Sequence, residues 1–175
     1  MPLPALRQYA FLFALAPLLC ACSGKAPAAQ AVEETAVSGG ISYGLAELPQ
    51  PACRVGDDDA AQGRWVEARS GGTQYVDGIR QVNAGFGEPS ATNALRAVLD
   101  RQALQDLARV EFQDADGNWH DAWTGKPSLK AAQGCDNAWF AQRLAGKAQA
   151  VRALRFSFRP AAGDVAVGHA SVHTG

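Results

Sequence analysis

Among its 175 residues the sequence holds one methionine, three histidines and four cysteines, and it has no surplus of either charge, with 16 basic against 17 acidic residues. A near-neutral chain offers no electrostatic footprint for nucleic acid or for anionic lipid, so neither class of partner is expected from charge. The short signatures of common chemistries are also missing. There is no G-x-S-x-G elbow and no H-E-x-x-H pair, and Gly85-Phe86-Gly87 lacks the downstream Lys-Ser/Thr of a phosphate loop. Accordingly no catalytic residue, cofactor or metal is assigned, and a non-enzymatic role is expected. No internal repeat is present. The apolar run from about Tyr9 to Leu19 is too short to span a bilayer as a mature helix.

That run has another explanation. Arg7 precedes it, and the low-complexity stretch GKAPAAQAVEETAVSGG follows, which is the order of an export signal. Leu19-Cys20-Ala21-Cys22 resembles the lipobox of bacterial lipoproteins, with a leucine three residues before the modified cysteine and a small residue directly before it. Cys20 does not fit the modified position, because Pro17 and Leu19 would then occupy those two places. The resemblance implies cleavage before Cys22 and acylation of its thiol. Two or more acyl chains, at about 0.8 kcal/mol per buried CH₂, anchor a protein stably. Ser23, where an aspartate would retain the protein at the inner membrane, implies a lipid anchor in the outer membrane. The expected organisation is a signal peptide over 1–21, a flexible tether over 22–40 and one domain over 41–175. Loss of the signal removes Arg7 and no acid, leaving 15 basic against 17 acidic groups.

Two cysteines then remain, Cys53 and Cys135. In an oxidising compartment they are expected to pair, closing a loop of about 80 residues that contributes about 4 kcal/mol in the chain-entropy model. No basic partner pattern marks either as a reactive thiol.

The domain reads as short strands. ARVEF (108–112) places Ala108, Val110 and Phe112 on one face, opposite Arg109 and Glu111; VRALRFSF (151–158) places Leu154, Phe156 and Phe158 inward, opposite Arg155 and Ser157. GRWVEAR, TQYVDGIRQV, ALRAVLD and DVAVGHASVHT are further candidates. Turn residues recur between them at Gly71-Gly72, Gly85 to Pro89, Asp116-Gly117 and Pro160 to Asp164. Such spacing predicts an all-β sandwich or barrel. RQALQDLA (101–108) and DNAWFAQRLAGKAQA (136–150) have helical composition, so one or two short helical turns are expected.

VEFQDADGNWHDAWTG (110–125) concentrates the chemistry. As a calcium loop it fails, because Gly117 falls at position 4 counted from Asp114 and no acid supplies the twelfth ligand. Asp116-Gly117 instead predicts a type I′ hairpin turn. Strict alternation puts Trp119, Asp121 and Trp123 on one face and His120 on the other. Pointing inward, the indoles are core; pointing outward, beside a carboxylate, they form a platform for pyranose rings. The usual burial of tryptophan favours inward. His169 and His173 share a strand face about 13 Å apart, too far to chelate one metal, and Asp57-Asp58-Asp59 reads as a solvated turn.

ALRAVLDRQALQDLARVEFQDADGNWHDAWTG resembles the middle of a galactose-binding-like jelly roll of the discoidin type. That family runs from a strand ending in an acid, through a short connector, to a second strand and a "dG-x-W" strand. VRALRFSFRPAAGDVAVGHASVHT is similar to its final hairpin. The resemblance spans about residues 63–174. The family's early "DG-x-x-x-T-x-W" segment is matched only by Asp77-Gly78-Ile79, with no Trp after it. The resemblance implies a jelly-roll β-sandwich. From the aromatic side chains themselves, the expected role is a module that binds glycan or peptidoglycan fragments through Tyr75, Trp119, His120, Asp121 and Trp123. The alternative is a structural or assembly subunit docking on an envelope protein, with a hydrolase ranked behind it.

Overall fold

The computed structural model describes residues 44–57, 64–160 and 164–174; the expected signal over 1–21, Cys22, the tether over 22–40, and Asp58 and Asp59 of the acidic run lie outside the described residues. The strands are β1 (Arg54–Gly56), β2 (Arg64–Glu67), β3 (Ser70–Val76), β4 (Ile79–Thr92), β5 (Ala94–Asp100), β6 (Leu107–Gln113), β7 (Trp119–Thr124), β8 (Asn137–Arg143), β9 (Gln149–Phe158) and β10 (Val167–Thr174). They form two five-stranded sheets, the first ordered β1-β8-β5-β10-β2 and the second β3-β4-β9-β6-β7. Every pairing is antiparallel except the short parallel contact of β1 with β8. The chain changes sheet at β2–β3, β4–β5, β5–β6, β7–β8, β8–β9 and β9–β10. That winding makes the expected jelly-roll sandwich.

Alternation places the core between the sheets. Leu95, Ala97 and Leu99 of β5, Ala138 and Phe140 of β8, and Ala170 and Val172 of β10 meet Val82, Ala84 and Phe86 of β4, Val110 and Phe112 of β6, and Leu154, Phe156 and Phe158 of β9. In β9 the residues expected inward, Leu154, Phe156 and Phe158, are buried, and in β6 Val110 and Phe112 are; Ala108 is only half-buried, because the register against β9 shifts between Leu107 and Arg109 and Leu107 takes the core place. Cys53 and Cys135 are joined, with their Cα atoms 6.5 Å apart and 82 residues between them in sequence. The bridge ties the segment before β1 to the loop before β8.

One of the two helical stretches forms. Asp100 accepts a hydrogen bond from the backbone N–H of Ala103 (2.7 Å) and caps α1 (Arg101–Asp106), which buries Ala103 and Leu104. The other, 136–150, is a strand followed by a turn, with Gly146 at φ +85°. There tertiary pairing overrides propensity, because β8 is hydrogen-bonded to β5 over its whole length and buries Ala138 and Phe140 in the core. Residues 85–89 are likewise no turn between strands. They lie within β4, where the register against β9 jumps between Gly85 and Ser90.

The two Asp-Gly turns exchange roles relative to expectation. Asp77 (φ +51°) and Gly78 (φ +77°) form the tight two-residue hairpin between β3 and β4, with Val76 opposite Ile79. Both central residues are left-handed, as a type I′ turn requires. The stretch 73–82, expected as one strand, is therefore two. At Asp116-Gly117 only the glycine is left-handed (φ +91°). The backbone N–H of Gly117 donates to Asp114 O (3.2 Å), so the loop from 114 to 118 is built on a turn starting at Asp114.

Candidate functional site

The outer face of the second sheet gathers polar chemistry in cross-strand rows. Residues directly opposite in adjacent antiparallel strands share a face. One row runs Gly72, Asn83, Arg155, Glu111, Asp121 across all five strands. On one side of it lies Ser70, Gly85, Ala153, Gln113, Trp119, and on the other Gln74, Gln81, Ser157, Arg109, Thr124. Neighbouring rows are about 7 Å apart. The face thus has a floor of small side chains, amides in the middle, and its one indole at the β7 edge.

The charged groups on this face hold each other. Arg155 Nε and Nη2 donate to Glu111 Oε2 and Oε1, both at 2.8 Å, and Glu111 is only 3% exposed. The planar fork of the guanidinium matches the carboxylate at both oxygens, which fixes the pair in one orientation. Arg109 bridges Glu111 Oε1 (3.3 Å) and Asp121, and the Asp121 hydrogen bond is the main reason its pKa is raised. The Arg155 guanidinium carbon also lies 4.0 Å from the centre of the Trp119 ring. Five side chains form one chain of contacts: Asp121, Arg109, Glu111, Arg155, Trp119. Two cations balance two anions, and every carboxylate has a guanidinium partner. This is the chemistry of a fixed hydrogen-bonding surface with an aromatic edge, and no free carboxylate is set up there for proton transfer.

A register shift decides which way the tryptophans face. Between Val110 and Glu111 of β6, β7 carries one extra residue, Ala122, so that Val110 opposes Trp123 while Glu111 opposes Asp121. Beyond this bulge every side chain changes face. Trp119 and Asp121 therefore point outward, whereas Trp123 packs into the core edge-on to Phe140, 5.3 Å between ring centres. Strict alternation, which put both indoles together, fails at Ala122.

The other expected ligand residues lie apart. His120 shares the inner register with Phe112 and stacks on it at 5.1 Å, and its Nε2 donates to Asp114 Oδ2 at 2.6 Å. That bond, with the Asn118 backbone N–H, pulls the Asp114 carboxyl down to a pKa of about 2. Tyr75 sits on β3 at the opposite edge from β7, where its hydroxyl accepts from Arg80 Nε (2.6 Å). So Trp119 and Asp121 share a surface, and Tyr75, His120 and Trp123 do not join them.

A second aromatic cluster covers the outer face of the first sheet. The Arg96 guanidinium carbon lies 4.1 Å from the Trp65 ring centre and 4.4 Å from that of Trp139, and Arg96 Nε donates to the buried Ser171 hydroxyl (3.0 Å). His173 packs edge-on to Trp65 at 5.2 Å and His169 tilts against Trp139 at 6.2 Å. The two histidines are thus placed at opposite ends of the stack. Each indole here meets both the Arg96 guanidinium and an imidazole. On Trp119, by contrast, no second ring packs among the described residues.

Arg155, Glu111, Trp65, Arg96 and Trp139 carry no local motif that marks them as site residues in the sequence. The outward positions of Arg109, Glu111 and Arg155 were readable from alternation, but the pairing of β6 with β9 across 44 residues of sequence was not. Among the described residues no group of three or more His, Cys, Asp or Glu is placed to hold a metal ion.

No family model and no curated protein matches the chain. Several solved structures are similar to it, two of them carbohydrate-binding modules by their descriptions. One, described as "CpGH89CBM32-6 produced by Clostridium perfringens", is 14% identical with a TM-score of 0.41, over 62% of this chain and 79% of that one. The other is a mutant of CBM29-2, from work on ligand recognition by family 29 carbohydrate-binding modules; it is 10% identical with a TM-score of 0.43, over 77% of this chain and 89% of that one. Likeness at that distance says nothing of this chain's ligand.

Proposed function

We infer that the sandwich is a non-catalytic binding module of galactose-binding-like type whose ligand is a glycan or peptidoglycan fragment, bound on the outer face of the second sheet. The observation that carries this reading is Trp119, held at the sheet edge by Arg155 and bordered by a row of fixed donors and acceptors. An indole face stacks on the apolar face of a pyranose, and paired guanidinium and carboxylate groups exchange hydrogen bonds with hydroxyls. Beyond Gln113 in the row of Trp119 the residues are small, Ala153, Gly85 and Ser70, which leaves the sheet surface open towards β3. The lipobox-like segment supports a lipoprotein held to the outer membrane through acylated Cys22, a placement in which envelope glycans are within reach.

Titration of the protein with a panel of oligosaccharides and peptidoglycan fragments, followed by tryptophan fluorescence, tests the reading. A saturable change that disappears in Trp119→Ala supports it; a flat response across the panel removes it. Mass spectrometry of protein purified from membranes shows whether Cys22 carries acyl groups.

One observation favours a second reading, docking on an envelope protein. Tyr75, Val76 and Ile79, at the tip of the β3–β4 hairpin, are 63%, 43% and 40% exposed. Crosslinking from this tip in intact envelopes tests it, and failure to recover any partner counts against it.

A further inference from the structure

We propose that the end of the sandwich beside the disulfide is a binding pocket for a small amphipathic anion, an acyl or aryl body ending in a carboxylate. The site is independent of the glycan face. A cavity of about 430 Å³ opens there between α1 and the turn at Leu129–Ala132, within the size range of small-molecule sites. Its apolar surface comes from Leu104, Leu129 and Ala132, of which Leu104 and Ala132 are buried and so form the floor. Cys135, held by the bridge to Cys53, forms part of the wall.

The charge around this apolar floor has one sign. Arg101 and Lys130 line the cavity, and among the described residues that line it none is acidic. The nearest acids in sequence are turned elsewhere. Asp106 accepts from Gln102, Asp100 caps α1, and Asp136 lines a neighbouring cavity with Pro49 and Asn137. Arg101 is preset: its Nε and Nη2 donate to the Cys135 carbonyl at 3.3 and 3.2 Å, which orients the guanidinium and leaves its other donors available. An apolar cup with two cations and no anion selects a ligand with an apolar body and one negative end. A neutral apolar ligand would leave the cations unanswered, and a polyanion would find no apolar use for its body.

Calorimetric titration of the full-length chain carrying Cys22→Ser, so that no acyl group of its own competes, tests the proposal with octanoate and with octanol as the uncharged probe. Octanoate is expected to bind at one site, about tenfold more tightly than octanol, since one charge-assisted contact is worth about that factor. Raising the salt narrows the gap. Arg101→Gln with Lys130→Gln is expected to weaken octanoate about tenfold and leave octanol unchanged. Gln105→Trp, which fills the cavity from the exposed side of α1, is expected to abolish both. The near-UV circular dichroism of each variant checks that the fold is intact, and the Gln105 variant decides the matter if the double variant does not fold. The proposal is overturned if octanoate does not bind, if it binds no better than octanol, or if the Gln105 variant binds as the parent does.

Discussion

Replacing Trp123 and Trp119 in turn by alanine separates the two roles that strict alternation would have merged. Trp123 is half-buried against the core and meets Phe140 edge-on, 5.3 Å between ring centres. Truncating a fully buried tryptophan costs about 3–5 kcal/mol, and an aromatic pair adds about 0.5–1.5 kcal/mol beyond burial. Half burial scales the first part down, so the expected loss is about 2–4 kcal/mol. For a domain of this size each kcal/mol moves the melting midpoint by about 3–5 °C, so Trp123→Ala should melt about 10 °C lower. Trp119 lies outside the core, and its contact with Arg155 is worth about 0.5–1 kcal/mol at a partly exposed site. Because Arg155 keeps its two hydrogen bonds to Glu111, Trp119→Ala should lower the midpoint by only a few degrees. Thermal melts followed by circular dichroism at equal protein concentration measure both. If Trp119→Ala destabilises as much as Trp123→Ala, the bulge at Ala122 does not divide the strand as described and the outer face loses its aromatic edge.

Three further outcomes are expected. Arg155→Ala leaves Glu111 buried with only Arg109 nearby, and should cost about 2–4 kcal/mol in urea unfolding; adding Glu111→Gln should restore part of the loss, and a cost below about 1 kcal/mol would contradict the pair. The Asp114 carboxyl, drawn down to about 2 by His120 and the Asn118 N–H, has a lower pKa folded than unfolded. Its contribution to stability is therefore complete above the unfolded value of about 3.9 and fades as pH falls towards the folded one; carboxyl NMR should show the low midpoint, and His120→Ala should move it back up. Replacing Cys53 and Cys135 together by serine should remove about 4 kcal/mol of stability in the chain-entropy model, read as a lower urea midpoint, and an unchanged midpoint would contradict a bridge in the native protein.

The sandwich was legible because the alternating strands carry it: in β9, and in β6 from Arg109 to Phe112, the inward and outward residues fall where period two puts them, and only the shift at Ala108 breaks it. The two Asp-Gly turns show the limits of local signals. The same dipeptide makes a two-residue type I′ turn at Asp77, where the flanking strands close directly, and a five-residue loop at Asp116, where Asp114 captures the Asn118 N–H at 2.8 Å. The stretch 136–150 has a helical composition, but Ala138 and Phe140 are worth more facing the core from a central strand than on a short helix. Of the candidate ligand residues, Trp119 and Asp121 remain together because they lie on the same side of the bulge. Trp123 is turned away by one extra residue that no sequence pattern marks. The partners of Trp119 were hidden for a different reason, since Glu111 and Arg155 meet only through strand pairing at long range.

Glycan binding on the outer face of the second sheet, as proposed, centres on Trp119. Two-dimensional NMR of the indole N–H signals during titration with a binding oligosaccharide tests it most directly, because the four tryptophans report from different places. The Trp119 signal is expected to shift and saturate, with the Arg155 and Arg109 side-chain N–H signals moving alongside it. The signals of Trp123 in the core and of Trp65 and Trp139 on the opposite face should stay in place. Saturable shifts centred on Trp65 and Trp139, with Trp119 unmoved, would contradict it.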